Sequence, residues 1–179
     1  SWDSDLWGKL RRNVESKDAS LVATVADLEN AKLSMQTQLA QAYFLVRSLD
    51  SQKQLLTDTT SSNMEAVRLT KNQYEVGVKA RQDLINAGAQ YRSVQAQLID
   101  VGVNRAAQEN LIAVLIGKSP SEFSIAFNPL PARSNLMVPV VPPGLPSDLL
   151  ERRPDVAAAE RRMAVANAQI GYQKAAYFP

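Results

Sequence analysis

All nine prolines of the 179-residue chain lie at or beyond Pro120. A proline ring fixes φ and removes a backbone N–H donor, so the first 119 residues lack the strongest helix breaker. The same stretch is rich in Ala, Leu, Gln, Glu, Arg and Lys, which favour helices. The sequence therefore predicts an overwhelmingly helical first part and a second part of different character.

Apolar residues in the helical part repeat with the spacing of a coiled coil. The first seam has apolar residues at intervals of seven, with others interleaved: Val14, Leu21, Leu28, Met35, Ala42, Leu49 and Leu56, then Val25, Leu39, Val46, Val67 and Tyr74. Polar residues that weaken the packing, and that either fix register or face a wet cavity, interrupt it: Lys32, Lys53, Thr60, Asn63 and Thr70. A second, mostly apolar seam follows: Leu84, Ala87, Tyr91, Val94, Leu98, Val101, Arg105, Gln108, Ile112 and Leu115. Two helices that pack on something are predicted.

The first helix has two places at which to turn back. One is the polar run 57–63, which helix propensity favours, and the other is 74–80, where Gly77 can take a positive φ. With the turn at Gly77, a helix over 9–75 is about 100 Å long and its return over 82–116 about 50 Å. About 30 residues of the first helix then have no partner in this chain, because the arms differ in length. We expect the missing partner to come from elsewhere.

The second part of the chain begins after Gly117, a helix stop. The prolines between 119 and 146 predict a strap that runs extended over a surface. Ser147 is expected to cap a short turn at 148–152, and Pro154 starts a last helix over 154–174. Small residues on this helix allow a neighbouring helix to approach closely: Ala157, Ala158, Ala159, Ala164, Ala166, Ala168 and Gly171.

The composition removes most enzyme chemistry. The chain has no Cys and no His, which excludes thiolate nucleophiles, disulfides, zinc sites built on these residues and histidine-dependent triads. Asp155 and Glu160 lie on different helix faces and make a poor acid–base or metal pair. We expect no catalytic residue, no cofactor and no metal site, and no enzyme activity.

Charge and hydropathy narrow the partners. The 20 Lys and Arg oppose 18 Asp and Glu without a basic cluster, so no nucleic-acid partner is expected. The mean hydropathy is −0.21, and no long apolar run occurs. Neither a transmembrane helix nor a retained signal peptide is predicted, and the chain as given is expected to be soluble.

Three stretches are more specific than the periodicity. The first is SWDSDLWGKLR at 1–11, the second is YEVGV at 74–78 followed by QDL at 82–84, and the third is GLPSDLLERRPDV at 144–156 with its continuation to residue 179. They are similar to the passage from a β-strand into a long helix, the periplasmic hairpin tip, and the most recognisable stretch of one protein family. The chain thus resembles the outer-membrane factor family, the TolC-like efflux ducts, and most closely their NodT-type lipoprotein branch.

The resemblance implies an all-α fold, a TolC-like α-barrel segment. Its parts are a long antiparallel coiled-coil helical hairpin, a Pro-rich equatorial strap and a further helix. The implied boundaries are 1–8 for the end of a barrel strand and the entry to the helix, 9–117 for the periplasmic hairpin with its tip near 76–81, 118–146 for the strap, and 147–179 for the equatorial turn and the helix ascending to the next strand.

The resemblance also implies a function. In this family three protomers form a barrel in the outer membrane that continues as a helical tunnel across the periplasm. The chain would be a periplasmic tunnel segment of a tripartite efflux channel, conducting substrates passively within a homotrimer in the cell outer membrane. The implied partners are a periplasmic adaptor (membrane fusion) protein and an inner-membrane pump. Without the barrel strands, the lipidated cysteine and the second half, the chain is expected to be a fragment whose uncovered seams drive a non-native oligomer.

The implied site residues lie at the hairpin tip. The adaptor-contact tip comprises Val76, Gly77, Val78 and Lys79. The aperture-gating set comprises Arg81, Gln82 and Asp83. Simpler explanations stand beside these: Gly77 is also a turn glycine, Lys79 and Arg81 are also solvated, and Asp83 is also a first-turn carboxylate stabilised by the helix dipole.

Two further alternatives remain. Lys32, Lys53 and Arg105 on the seams either line a water-filled tunnel or reach from the packed seam to solvent, and we favour the second. The alternative function is a soluble coiled-coil scaffold or a periplasmic adaptor hairpin. An adaptor carries a lipoyl-like β-rich half beside its hairpin, and no strand-rich stretch with paired glycine turns occurs here. This favours the duct.

Overall fold

The computed structural model describes residues 5–130 and 146–177. Within them the chain forms four helices and no strand: α1 Lys9–Glu75, α2 Arg81–Leu115, α3 Pro146–Glu151 and α4 Pro154–Ala175. The chain divides into two units, residues 1–36 with 138–179, and residues 37–137. The predicted all-α helical hairpin with a further helix is confirmed. The predicted strap beyond residue 130, residues 1–4 of the predicted strand end at 1–8, and residues 178–179 lie outside the described residues. Residues 5–8 lead into α1 without strand structure.

A carboxylate fixes the start of α1. The two side-chain oxygens of Asp5 accept hydrogen bonds from the backbone N–H groups of Leu10 and Arg11, each at 3.0 Å. N–H groups in the first turn of a helix have no partner inside the helix, and a negative charge there also complements the helix dipole. Asp5 therefore supplies both the missing acceptors and the favourable charge.

Helix α1 passes through the polar run 57–63 without a break. Its hydroxyl groups donate to carbonyls three or four residues back in the same helix: Thr57 to Lys53, Thr59 to Leu55, Thr60 to Leu56, and Ser61 and Ser62 both to Asp58. These side chains add bonds to the helix carbonyls and leave the backbone N–H groups to the helix. Of the two candidate turn sites, the one that helix propensity alone favours is therefore not used, and α1 is continuous as the resemblance implies.

Gly77 reverses the chain. Its φ is +77°, its N–H donates to the carbonyl of Tyr74 at 3.0 Å, and the N–H of Val78 donates to the carbonyl of Gln73 at 2.9 Å. This pair of bonds is the Schellman motif, which satisfies the last helix carbonyls and favours glycine because of the positive φ. The same motif ends α2 at Gly117. The two helix stops that the sequence offered at glycines are thus both used.

The two seams meet in the unit of residues 37–137. All ten positions of the second seam are buried or half-buried. Ala42 and Val46 of α1 form a buried cluster with Ile112 of α2, and Phe123 and Ile125 of the strap pack on it. The dry part of the hairpin therefore lies where the strap crosses it.

Toward the tip the same interface is less buried. On α1, no residue from 51 to 75 is fully buried, and on α2 none from 81 to 93. The polar seam residues here are half-buried: Lys53, Thr60, Asn63 and Thr70. Packing toward the tip consequently rests on partly wetted contacts.

Helix α4 packs on α1 in the unit of residues 1–36 with 138–179. Arg162 donates to both carboxylate oxygens of Asp27 at 2.7 Å. The side chain of Arg12 crosses Gly171, where a Cβ would come within 3.0 Å of it. Because the partner number on α4 falls as the number on α1 rises, the two helices are antiparallel. The expectation that this part of α1 finds no partner in the chain is wrong.

Small residues form this second interface. The buried positions are Ser16 and Ala23 on α1, and Ala158, Ala168 and Ala175 on α4. Short side chains on both helices let the axes approach closely. The predicted seam residues of this part of α1 point elsewhere, since their exposed fractions lie between 52% and 64%: Val14, Leu21, Val25, Leu28 and Met35.

The start of the last part of the chain differs in detail from the prediction. Helix α3 already begins at Pro146, so Ser147 lies inside its first turn and not before it. Helix α4 begins with Pro154 at its first position, as predicted. The guanidinium of Arg153 donates two hydrogen bonds, of 3.1 and 2.6 Å, to the Asp155 carboxylate. This ion pair stabilises the start of α4.

Candidate functional site

The predicted adaptor-contact tip lies in the turn between α1 and α2. Val76, Gly77, Val78 and Lys79 are all exposed, and the two valines keep 74% and 73% of their surface in water. Two valines held apart on a fixed turn offer a small apolar surface to another molecule. The geometry leaves the tip accessible, and its contact with an adaptor stays a prediction.

The predicted gating set forms the first turn of α2. Arg81, Gln82 and Asp83 are all exposed, and the N-cap residue Ala80 makes no side-chain cap hydrogen bond. The carboxylate of Asp83 is therefore the acidic group of that turn and complements the positive end of the helix dipole. The Gln82 amide donates within its own helix, to Asn86 at 3.1 Å. The fold brings the three next to the tip, and their gating role stays a prediction.

A second cluster joins α1, α2 and the strap, and we call it the clasp: Arg47, Asp50, Arg105 and Glu109. Asp50 is completely buried, and Arg105 donates to it from Nε at 2.6 Å. The same guanidinium donates from Nη1 to Glu109 at 2.8 Å and from Nη2 to the carbonyl of Ile125 at 2.7 Å. Arg47 donates to the other Asp50 oxygen at 3.2 Å. One arginine thus binds both helices and the strap at once.

The strap is held through its backbone. Six of its backbone groups bond side chains of the hairpin. The N–H groups of Ile125, Asn128 and Leu130 donate to Glu109, to Asp50 at 3.1 Å and to Ser51 at 2.8 Å. The carbonyls of Ile125, Ala126 and Leu130 accept from Arg105 at 2.7 Å, Arg47 at 2.9 Å and Ser51 at 3.4 Å. An extended segment without a neighbouring strand has no ladder for these groups, and buried backbone groups require partners. The clasp and Ser51 supply them.

Electrostatics keep the central pair of the clasp charged. Burial raises the pKa of the Asp50 carboxyl, but hydrogen bonds from Arg105 and the Asn128 N–H, with the charges of Arg105 and Arg47, outweigh it and hold that pKa below its ordinary value of 3.8. The hydrogen bond to Asp50 raises the pKa of Arg105 against the opposing effect of burial. At neutral pH the pair is therefore fully ionised in a nearly dry site.

The seam lysines and arginine divide between the two sequence-based alternatives. The expectation that Arg105 reaches solvent is wrong, since its side chain is only 14% exposed and ends in the clasp. Lys32 does extend from the seam and pairs with Glu29 at 2.6 Å on the exposed surface. Lys53 lies over the Phe127 ring, 5.9 Å from its centroid. Lys32, Lys53 and Arg105 therefore have three different environments, and no single alternative accounts for all of them.

Sequence reasoning missed Arg47, Asp50 and Glu109. A signal existed, because an arginine in an apolar seam requires a buried counter-ion. With the turn at Gly77, the position opposite Arg105 is Asp50, which lies 55 residues away in the sequence.

The described part of the chain shows neither a metal-binding cluster nor a membrane-spanning helix. Residues 5–130 and 146–177 hold no group of acidic, histidine or cysteine side chains placed to bind a metal ion. None of the helices described there combines the length and apolar character needed to cross a membrane.

Known proteins are similar to this chain in sequence and in fold. Residues 1–118 match the family described as outer membrane efflux protein. Nodulation protein T of Rhizobium leguminosarum bv. trifolii is 31% identical over 183 residues, covering 100% of this chain and 38% of that protein. The probable efflux pump outer membrane protein SepC of Pseudomonas putida is also 31% identical over 183 residues, covering 100% of this chain and 36% of that protein.

Solved structures agree with the sequence relatives. The outer-membrane channel OprN matches with a TM-score of 0.90 and 32% identity, over 99% of this chain and 39% of that chain. The outer membrane protein VceC of Vibrio cholerae matches with a TM-score of 0.83 and 26% identity, over 99% of this chain and 41% of that chain. The chain thus spans between 36% and 41% of the length of these relatives.

The matched stretch 1–118 contains both seams, the tip and all four clasp residues. The suspected TolC-like resemblance and the expected outer-membrane location are confirmed. On the evidence of the family match, the sequence relatives and the shared hairpin fold, the chain belongs to the outer membrane efflux protein family.

Proposed function

We propose that the chain is the periplasmic tunnel segment of an outer-membrane channel in a tripartite efflux system. The observation that carries the proposal is the agreement of 99% of the chain with OprN, at a TM-score of 0.90 and 32% identity. In this role the chain lines a passive path, and its work is conduction and docking. We accordingly propose that it has no enzyme activity.

The proposed parent protein is a homotrimer in the outer membrane. Its neighbouring helices would cover the apolar seam residues of α1 that stay exposed, such as Leu21 at 64% and Met35 at 60%. The proposed partners are a periplasmic adaptor protein and an inner-membrane pump. The names of relatives support an efflux role, among them the toluene efflux pump outer membrane protein TtgC of Pseudomonas putida. A free coiled-coil scaffold or an adaptor hairpin is disfavoured, because the family match covers the whole hairpin.

Adaptor docking is assigned to the tip, residues Val76 to Lys79. The test uses a photo-crosslinking group at position 78 of the full-length parent in cells that contain the adaptor. Position 103 is the matched control, because Val103 is also an exposed valine (63%) but lies on α2 away from the tip. Capture of the adaptor at 78 and not at 103 is expected. Equal capture at both positions, or none at 78 in a strain with working efflux, would contradict the assignment.

Aperture gating is assigned to Arg81, Gln82 and Asp83. Asp83→Arg in the full-length parent places a positive charge at the positive end of the α2 dipole and beside the tip, so the closed entrance is expected to leak and single-channel conductance to rise. The matched control is Asp100→Arg, an exposed reversal on the same helix about 25 Å farther from the tip. Unchanged conductance in Asp83→Arg would remove the gating role and leave the dipole explanation.

A further inference from the structure

We infer that Arg105 is a positioning residue that fixes the axial register of α1 against α2 and thereby sets where the hairpin tip stands. The inference rests on the proposed function, since the height of the tip matters for a docking and gating surface. It concerns a cluster that lies far from that surface, because Asp50 and Gly77 are 27 positions apart, about 40 Å along the direction of α1.

The first step of the argument is the geometry of the guanidinium. Arg105 bonds Asp50 on α1, Glu109 on its own helix and Ile125 on the strap, at 2.6, 2.8 and 2.7 Å. The bond to Glu109 stays within α2 and orients the guanidinium. Because a planar guanidinium holds its donors in fixed directions, the bonds to Asp50 and to the strap can form together only at one position of α2 along α1. The contact therefore specifies a register and not only an attraction.

The second step is the weakness of the remaining interface. Between the clasp and the tip the seam has no fully buried residue on α1, where every third or fourth position repeats the same half-buried environment. On α2 the buried seam residues of this stretch are two valines of equal size, Val94 and Val101, seven positions apart. Seam residues of this part of α1 differ little in size and include polar ones: Leu56, Thr60, Asn63, Val67 and Thr70. A slip of one helical turn, about 5.4 Å, would replace such contacts with similar ones.

The third step is the consequence of that slip at the clasp. Asp50 is completely buried, and a displacement of one turn would separate it from Arg105 while both remain away from water. An uncompensated buried charge is strongly unfavourable, and a buried polar group in a coiled coil is best known for fixing register. The strap also stabilises the observed register, because the N–H of Asn128 donates a hydrogen bond to the same carboxylate at 3.1 Å.

Disulfide crosslinking near the tip tests the register directly. This chain contains no cysteine, so pairs can be placed in a full-length parent freed of any others. Seam positions Val67 and Ala87 lie at equal distances on either side of Gly77 and form the in-register pair. The pairs of position 67 with Leu84 and with Tyr91 report a shift of one turn in either direction.

Arg105→Met is the decisive variant. The wild-type background is expected to crosslink only through 67 and 87, whereas Arg105→Met is expected to gain a crosslink from 67 to 84 or to 91, a shift of about 5.4 Å. Arg105→Lys keeps a charged donor for Asp50 and is expected to restore the wild-type pattern, a rescue that a role in packing alone would not require. Arg68→Met is the matched control, because Arg68 pairs with Glu65 on an exposed surface, and it is expected to leave the pattern unchanged.

A wild-type pattern in Arg105→Met would overturn the inference. If that variant does not accumulate in the outer membrane, Asp50→Asn takes its place, since it keeps the shape and removes the charge, and retention of the single 67 to 87 crosslink there overturns the inference equally. Restoration of efflux to a channel-deficient strain is measured in parallel. A wild-type protein that fails to restore efflux would count against the proposed function, while the crosslinks still decide the register.

Discussion

Replacing Asp50 with alanine is expected to lower the free energy of unfolding of the chain by about 3 kcal/mol. Removing one member of a buried ion pair costs roughly 3–5 kcal/mol, because the partner charge is left without compensation. The Asp50 side chain is completely buried, and the substitution removes its contacts with Arg105, Arg47 and the Asn128 N–H. Arg105 keeps its bonds to Glu109 and to the strap, and alanine gains up to about 0.7 kcal/mol of helix propensity. Both effects place the expected cost at the lower end of the range.

The assay is urea unfolding followed by far-ultraviolet circular dichroism. The midpoint should fall while the slope of free energy against urea stays constant, since a stability change with the same exposed surface moves only the midpoint. Glu65→Ala is the matched control, because it also removes one carboxylate from an arginine partner on α1, but this pair is exposed to solvent. That control should leave the midpoint nearly unchanged. Equal midpoints for Asp50→Ala and Glu65→Ala would refute the view of the clasp as a buried ionic network.

Three more predictions concern the turn, the pH dependence and the α1–α4 interface. Gly77→Ala should destabilise the chain by about 1 kcal/mol, because φ is +77° there. Gly88→Ala in the interior of α2, where a Cβ meets open space, should stabilise the chain by about 0.5–1 kcal/mol, and the urea midpoints of both variants check these values. The pKa of Asp50 is lower in the folded chain than its ordinary value of 3.8, so the stability that Asp50 contributes is present above that value and is lost as pH falls through the folded pKa. Below about pH 4, the free energy of unfolding should therefore fall more steeply with pH in the wild type than in Asp50→Asn. Ala168→Leu should cost about 1–3 kcal/mol by overpacking a fully buried position, while Met163→Leu, at 75% exposure, should leave the thermal midpoint unchanged.

The second seam was predictable from the sequence and the clasp was not, for a physical reason. Burial along α2 follows a repeat of three and four residues, which is a property of one helix and can be read without knowing the partner. The bond between Asp50 and Arg105 joins positions 55 residues apart, and no local pattern contains it. The pair can be inferred only after the turn is placed at Gly77, and helix propensity alone favours a turn at 57–63. The Thr and Ser hydroxyls that bond their own helix there removed the reason for a break.

In the first part of α1, the predicted seam and the face that packs on α4 are different faces of the helix. Positions 14 and 16 differ by two residues, about 200° around the helix, so the buried Ser16 lies nearly opposite the exposed Val14. A period-seven pattern detects large apolar side chains and passes over the small residues that face α4, although short side chains permit the closer approach. The helix therefore carries two interfaces, one of small residues that α4 covers and one of large residues that α4 leaves in water. A helix in the wall of the proposed tunnel needs two such faces, one for each neighbour, and the face with the large side chains is the one that fits a neighbour from another protomer.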